Sequence, residues 1–157
     1  MLYFAYGSNL DWSQMRDRCP SARFVRVAKL KDHRLAFTRY SDFRKGGVAD
    51  VIPEAGQEVW GVVYEIEEQD IGRLDACEGF QPGRPREKNA YTREERHVYQ
   101  DGDEKQPLLV SLYVAIPQDG GPFHPHPDYK RLILEGAKYW HLPDKYIKQL
   151  DRIEVKG

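Results

Sequence analysis

Leu2-Tyr3-Phe4-Ala5-Tyr6-Gly7-Ser8-Asn9-Leu10 begins as a strand and breaks into a polar turn at Gly7. Leu2, Phe4 and the rings of Tyr3 and Tyr6 favour an extended, largely buried segment, whereas Gly7-Ser8-Asn9 is a run of turn formers. A helix is expected over Trp12 to Arg18, with Asn9 or Asp11 able to cap it. Backbone N–H groups freed at the turn then lie beside a helix N-terminus, where an anion or a developing oxyanion is stabilised. The same residues also build strand-to-helix turns that carry no chemistry. The rest of the chain has to decide between the two.

At 157 residues the sequence is expected to form one domain, residues 1–157, large enough to bury a core without staples. Its 24 basic and 25 acidic residues are intermixed and leave a net charge of -1, so nothing points to nucleic acid or an anionic membrane as partner. Cys19 and Cys77 form no CxxC and are too few for a disulfide framework, so both are expected as inert core thiols in a reducing cytoplasm. No basic, apolar leader precedes Leu2 and no apolar run approaches a membrane span, which leads to the expectation of a soluble, cytoplasmic protein.

Along the chain, Pro20 ends the helix near residues 11 to 19. Arg23–Leu30 and His33–Thr38 read as strands joined as a hairpin at Lys31-Asp32. Arg39 to Gly47 reads as loop, and Val48–Ile52 as a short strand ended by Pro53. Glu58–Ile66 is β-branched and aromatic nearly throughout, which suits a strand buried on both faces, with Gly61 marking a bend or a close backbone approach.

Between Glu67 and Gly79 the period changes to that of a helix, with Gly79 as its C-cap signal. Glu78 falls within roughly 20° of Ile71 on the helical wheel, so its carboxylate is expected to point inward with Leu74. A carboxylate there meets the negative helix end, the charge of Asp75 and a desolvation cost, all of which raise its pKa toward that of a general base. A frayed helix end with Glu78 in solvent is the plain alternative.

Phe80 to Lys88 reads as a loop that shapes a pocket mouth. Tyr91–Tyr99 and Leu108–Ile116 are strands joined across Asp101-Gly102-Asp103-Glu104, with Tyr113 facing either a cavity or the packed core. After the Pro- and Gly-rich connector 120–127, helices are expected over Tyr129–Trp140 and Pro143–Ile153. His124 and His126 have a metal-like spacing but no third ligand nearby, and read as loop. Ser8 lacks the GxSxG surroundings of a nucleophile elbow, and no phosphate-binding or dinucleotide fingerprint follows any strand.

Four stretches, in order, resemble the γ-glutamylcyclotransferase family. They are Leu2 to Leu10, Glu58-Val59-Trp60-Gly61-Val62-Val63, Leu74-Asp75-Ala76-Cys77-Glu78-Gly79, and Tyr129-Lys130-Arg131 through Gly136-Ala137-Lys138 to Leu142–Tyr146. Together they cover nearly the whole chain, and the Tyr-Gly-Ser-Asn form is more similar to the enzymes of γ-glutamyl amino acids than to those of γ-glutamylamines. The resemblance implies an α+β fold, a small mixed β-barrel with surrounding helices and a central cavity. It also implies Glu78 as acid/base, a substrate-binding turn of Tyr6, Gly7, Ser8 and Asn9 with Tyr3, and pocket-facing Tyr113 and Tyr129.

The implied partner is a small-molecule γ-glutamyl substrate, cyclised to 5-oxoproline without metal or cofactor, by a monomer or a homodimer. Two departures stand out: the loop Phe80 to Lys88 is longer than usual, and the chain ends soon after its last helix. The leaving amine stays open. So do two other functions, a non-catalytic binding module on the same pocket and a Ser8-dependent acyl hydrolase.

Overall fold

The computed structural model describes residues 1–157. Five strands close into a barrel in the order β1-β3-β2-β4-β5. They are β1 (Leu2–Ala5), β2 (Arg23–Ser41), β3 (Gly46–Glu65), β4 (Tyr91–Gln100) and β5 (Pro107–Ala115). Four helices surround them: α1 (Trp12–Arg18), α2 (Glu68–Cys77), α3 (Pro127–Tyr139) and α4 (Asp144–Asp151). Neighbouring strands are antiparallel except β1 and β5, which meet in parallel at Tyr3 and Ser111. The barrel is therefore mixed, as the resemblance implied. No helix is long and apolar enough to cross a membrane.

The β2–β3 pair departs from the expected strands. Arg23 pairs with Glu65 and Ser41 with Gly46, so the hairpin turns at residues 42–45 and not at Lys31-Asp32. Lys31-Asp32 is instead a kink inside one long strand: Asp32 has φ 59° and its Oδ1 accepts from the Gly56 N–H at 2.9 Å. The register jumps there from Lys31–Glu58 to His33–Pro53, with the surplus residues on β3. A Lys-Asp pair serves a bulge as well as a turn, and Pro53 sits beside the irregularity, where sheets tolerate proline. Such a bulge bends the ribbon and lets two strands wrap most of a small barrel.

Phe4, Val59, Val62, Val63, Tyr64 and Leu112 are fully buried in one hydrophobic core. Gly61 marks the close approach expected of it, since a Cβ there would lie 2.2 Å from the Ala5 carbonyl oxygen. Cys19 is buried, and burial pushes its thiol up to about 11. Cys77 is exposed, contrary to expectation, because the last turn of α2 presents it outward. His126 caps α3, its Nδ1 accepting from the Asp128 N–H.

Candidate active site

β1 delivers the chain to Gly7, and a single 3-10 turn, Ser8–Leu10, carries it into α1. Asp11 caps α1, its Oδ2 accepting from the Gln14 N–H at 2.9 Å. Within the turn the Leu10 and Asp11 N–H groups donate to the Gly7 and Ser8 carbonyls, both at 3.0 Å. The N–H groups of Gly7, Ser8 and Asn9 make no turn, loop or capping bond. They are the unpaired donors that a helix-like turn leaves at its start. A Cβ on Gly7 would sit 3.2 Å from the Ala49 Cβ, so only glycine leaves this side of the turn open.

Side chains from distant elements hold the turn. The Tyr64 hydroxyl donates to the Asn9 carbonyl at 2.9 Å and the Trp140 Nε1–H to the Leu10 carbonyl at 3.0 Å. The Asn9 side chain is fully engaged. Its Nδ2 donates to the Tyr3 hydroxyl (3.0 Å) and to Glu78 Oε1 (3.1 Å), and its Oδ1 accepts from Gln14 Nε2 (2.9 Å) and Arg18 Nη1 (3.2 Å). All four bonding sites of an amide are thereby used, which fixes both its orientation and that of the carboxylate beside it. The Ser8 hydroxyl accepts from Gln14 Nε2 at 2.9 Å. An amide N–H cannot remove a proton, so this contact gives Ser8 no base.

Glu78 is the cap of α2 and lies just past its last helical turn, where the sequence placed it inside. The Phe80 N–H donates to Asp75 O and the Gly79 N–H to Ala76 O, with Gly79 at φ 62°. This pair of bonds is a Schellman cap, and it locks the backbone on which Glu78 stands. The Glu78 side chain is 16% exposed and lies 3.8 Å from Arg18 Nη1. Burial raises its pKa above the usual 4.5, against the opposing pull of Arg18, Arg44 and the Asn9 hydrogen bond. The expected help from Asp75 is missing. The Asp75 carboxylate turns instead to Arg93 Nη1 at 2.7 Å and accepts from the Tyr113 hydroxyl at 2.6 Å.

Tyr3, Tyr6, Gly7, Ser8, Asn9, Glu78, Tyr113 and Tyr129 line one cavity of about 30 Å³, joined by Ala49 and Tyr91. The Tyr6 hydroxyl donates to the Tyr113 carbonyl and the Tyr91 hydroxyl to the Ala49 carbonyl, while the Tyr129 hydroxyl accepts from the Ala49 N–H at 3.0 Å. Burial raises the pKa of Tyr3, Tyr6, Tyr91 and Tyr113, and pushes Tyr129 up to about 12. The phenols therefore stay neutral near pH 7. Glu78 is the one carboxylate among the residues that line the cavity.

The cavity opens past Ser8, Glu78, Tyr91 and Tyr129 into an approach of about 510 Å³. The inner space holds little more than a water molecule, so a reacting group has to straddle both. No residue of Phe80 to Lys88 lines either space, which corrects the expected role of that loop. Arg84 ties it back to the Gly79 carbonyl and to Asn89, so it buttresses the helix end. Tyr91, Gln14, Arg18 and Arg44 were not anticipated. Gln14 and Arg18 stand four residues apart on the helix that Asp11 caps, a spacing that could have shown both facing the turn.

The family model "Gamma-glutamyl cyclotransferase, AIG2-like" matches residues 3–131. A curated bovine (Bos taurus) gamma-glutamylcyclotransferase is 36% identical over 159 residues, spanning 98% of this chain and 78% of that protein. The mouse (Mus musculus) protein of the same name is also 36% identical, with the same coverage. A solved structure described as a gamma-glutamyl cyclotransferase superposes with a TM-score of 0.88 at 33% identity, covering 99% of this chain and 89% of that one.

Proposed function

The chain belongs to the gamma-glutamyl cyclotransferase, AIG2-like family, and from that membership we propose how its own residues carry the reaction. The protein is an enzyme that cyclises a small γ-glutamyl compound, releasing 5-oxoproline and the free amine. Glu78 takes a proton from the α-ammonium of the bound substrate. The freed amine then attacks the side-chain carbonyl carbon of the same molecule and closes a five-membered lactam. As the tetrahedral centre collapses, Glu78 returns its proton to the departing nitrogen, and the C–N bond to the leaving amine breaks. The attacking nitrogen gives up its second proton through the same carboxylate, so that a neutral lactam and an ammonium are released.

The N–H groups of Gly7, Ser8 and Asn9 are the donors for the oxyanion that forms at the attacked carbonyl. Because both reacting groups belong to one molecule, holding a single folded conformer removes much of the barrier, an effect on the order of several kcal/mol. The observation that carries this assignment is the bond from Asn9 Nδ2 to Glu78 Oε1, which ties a largely buried carboxylate to the turn whose first N–H groups are unpaired.

The test is incubation with a panel of γ-glutamyl compounds and mass detection of 5-oxoproline. Glu78→Gln should fold normally and lose about 10²- to 10⁴-fold in turnover, the range for a positioned acid/base. Retained turnover would move the base elsewhere. Ser8→Ala should leave a substantial rate, since its hydroxyl is not the nucleophile; complete loss together with labelling of Ser8 by a phosphonate would favour an acyl hydrolase.

A further inference from the structure

Arg44, at the β2–β3 turn, is a half-buried guanidinium with no carboxylate of its own. It belongs to none of the ion pairs of the molecule. One Nη2–H donates to the neutral Gln14 Oε1 at 2.7 Å, and the guanidinium carbon lies 5.4 Å from the ring centres of Tyr129 and Phe43. A guanidinium has five N–H donors in a planar fork, so most of this group's bonding capacity is unused, and Arg44 lines the approach. Arg18 is close enough to oppose its charge, and burial together with Arg18 lowers the pKa of Arg44.

The negative charge nearby does not balance these cations. Glu78 is shared with Arg18 at 3.8 Å, and it becomes neutral whenever it holds the substrate proton. Asp42, the other acid on the approach, is exposed at its rim. Arg39 also faces the approach, and its Nη1 is occupied by the Ile116 carbonyl at 3.1 Å. Two crowded cations in a partly desolvated space are costly unless an anion joins them. That anion has to come with the substrate.

We propose that Arg44 is the specificity-determining residue of the leaving group, binding a carboxylate borne by the departing amine through its guanidinium fork. The inference rests on the cyclisation assigned above. With Glu78 and the turn engaged at the glutamyl end, the departing nitrogen faces the wider space that adjoins the inner cavity, and a carboxylate on its α-carbon lies toward the cations. Phe43, 83% exposed on the same turn, offers an apolar surface for the rest of that group. The enzyme should thus prefer γ-glutamyl amino acids to γ-glutamylamines or amides of the same shape.

The test compares γ-glutamylalanine with γ-glutamylalaninamide, which differ only in the charge of the leaving group, using 5-oxoproline as readout. The wild-type enzyme should favour the carboxylate by about 10- to 100-fold in kcat/KM, most of it in KM, as for a charge-assisted, bidentate contact. Arg44→Gln should bring the ratio to within about 3-fold of one by lowering the alanine compound selectively, and Arg44→Lys should give an intermediate ratio because it keeps the charge without the fork. Circular dichroism and Tm confirm that each variant is folded.

Equal rates for the two compounds in the wild type would overturn the proposal. So would an equal fall for both in Arg44→Gln, which would assign Arg44 to the shared glutamyl carboxylate or to Glu78. Release of no 5-oxoproline from either compound would instead defeat the cyclisation assignment, and this inference with it.

Discussion

Burial holds the carboxyl of Glu78 above its usual value of 4.5 in spite of two arginines, so the folded protein binds that proton more tightly than the unfolded chain does. The stability linked to this proton is complete below the ordinary value and is lost as pH rises through the raised one. Glu78→Gln mimics the neutral acid. It should raise Tm at pH 7 by on the order of a few degrees, with the gain shrinking as pH falls, as melting curves across pH would show. The acid limb of kcat/KM should lie above 4.5 and vanish in the variant. A limb at or below that value would remove burial as the tuning force.

Glu78 and the Gly7-Ser8-Asn9 turn were legible because their signals are local: a carboxylate on the apolar face of a helix, and turn formers after an aromatic strand. Arg44 gave no such signal, since a charged residue in a polar turn is ordinary anywhere. Asp50 gave one that went unread. An acid inside the apolar run Val48–Ile52 breaks the local rule and is 1% exposed in the barrel wall.

Among the elements, α3 does most to position the turn. A Cβ at Gly136 would lie 2.5–2.6 Å from the backbone and Cβ of Leu10, so glycine lets the helix rest directly on the 3-10 turn. Helix propensity alone would reward Gly136→Ala by about 1 kcal/mol. Overpacking against the Leu10 backbone reverses the sign, and the variant should lose about 1–3 kcal/mol in urea unfolding. Its KM should rise as the turn is pushed away from Glu78; a more stable variant with unchanged KM would show that the two elements can part without cost.

Helix types and approximate bounds followed from period and caps, and β4 and β5 from alternation around an Asp-Gly turn. The long ribbon did not. Whether Lys31-Asp32 reverses the chain or merely kinks it depends on where β3 lies, a long-range fact that local turn chemistry does not contain.

At the scale of the molecule, the barrel closes along a thin seam, since β1 and β5 share a single parallel pair. Polar side chains reinforce it. The Tyr6 hydroxyl, just past the end of β1, donates to the Tyr113 carbonyl of β5, and Asp50 Oδ1 reaches from β3 to the Ala115 N–H at 3.0 Å while Oδ2 accepts from Thr38 at 2.7 Å. Burial raises the pKa of Asp50 against those two bonds and a third from the Val51 N–H. Asp50→Ala should cost about 2–3 kcal/mol by stranding these donors, whereas Asp50→Asn, which can rebuild most of the bonds, should cost under about 1 kcal/mol. Equal losses in chemical denaturation would mean that the charge, and not the bonding pattern, holds the seam.

The Trp140 indole and the Tyr129 phenol reach the site from the far end of the sequence, to Leu10 and Ala49. During synthesis on the ribosome, the turn formed by the first ten residues waits for these two rings to leave the exit tunnel. A nascent chain stalled before Pro127 should therefore be catalytically silent, its acid and its donors already made but not yet held together.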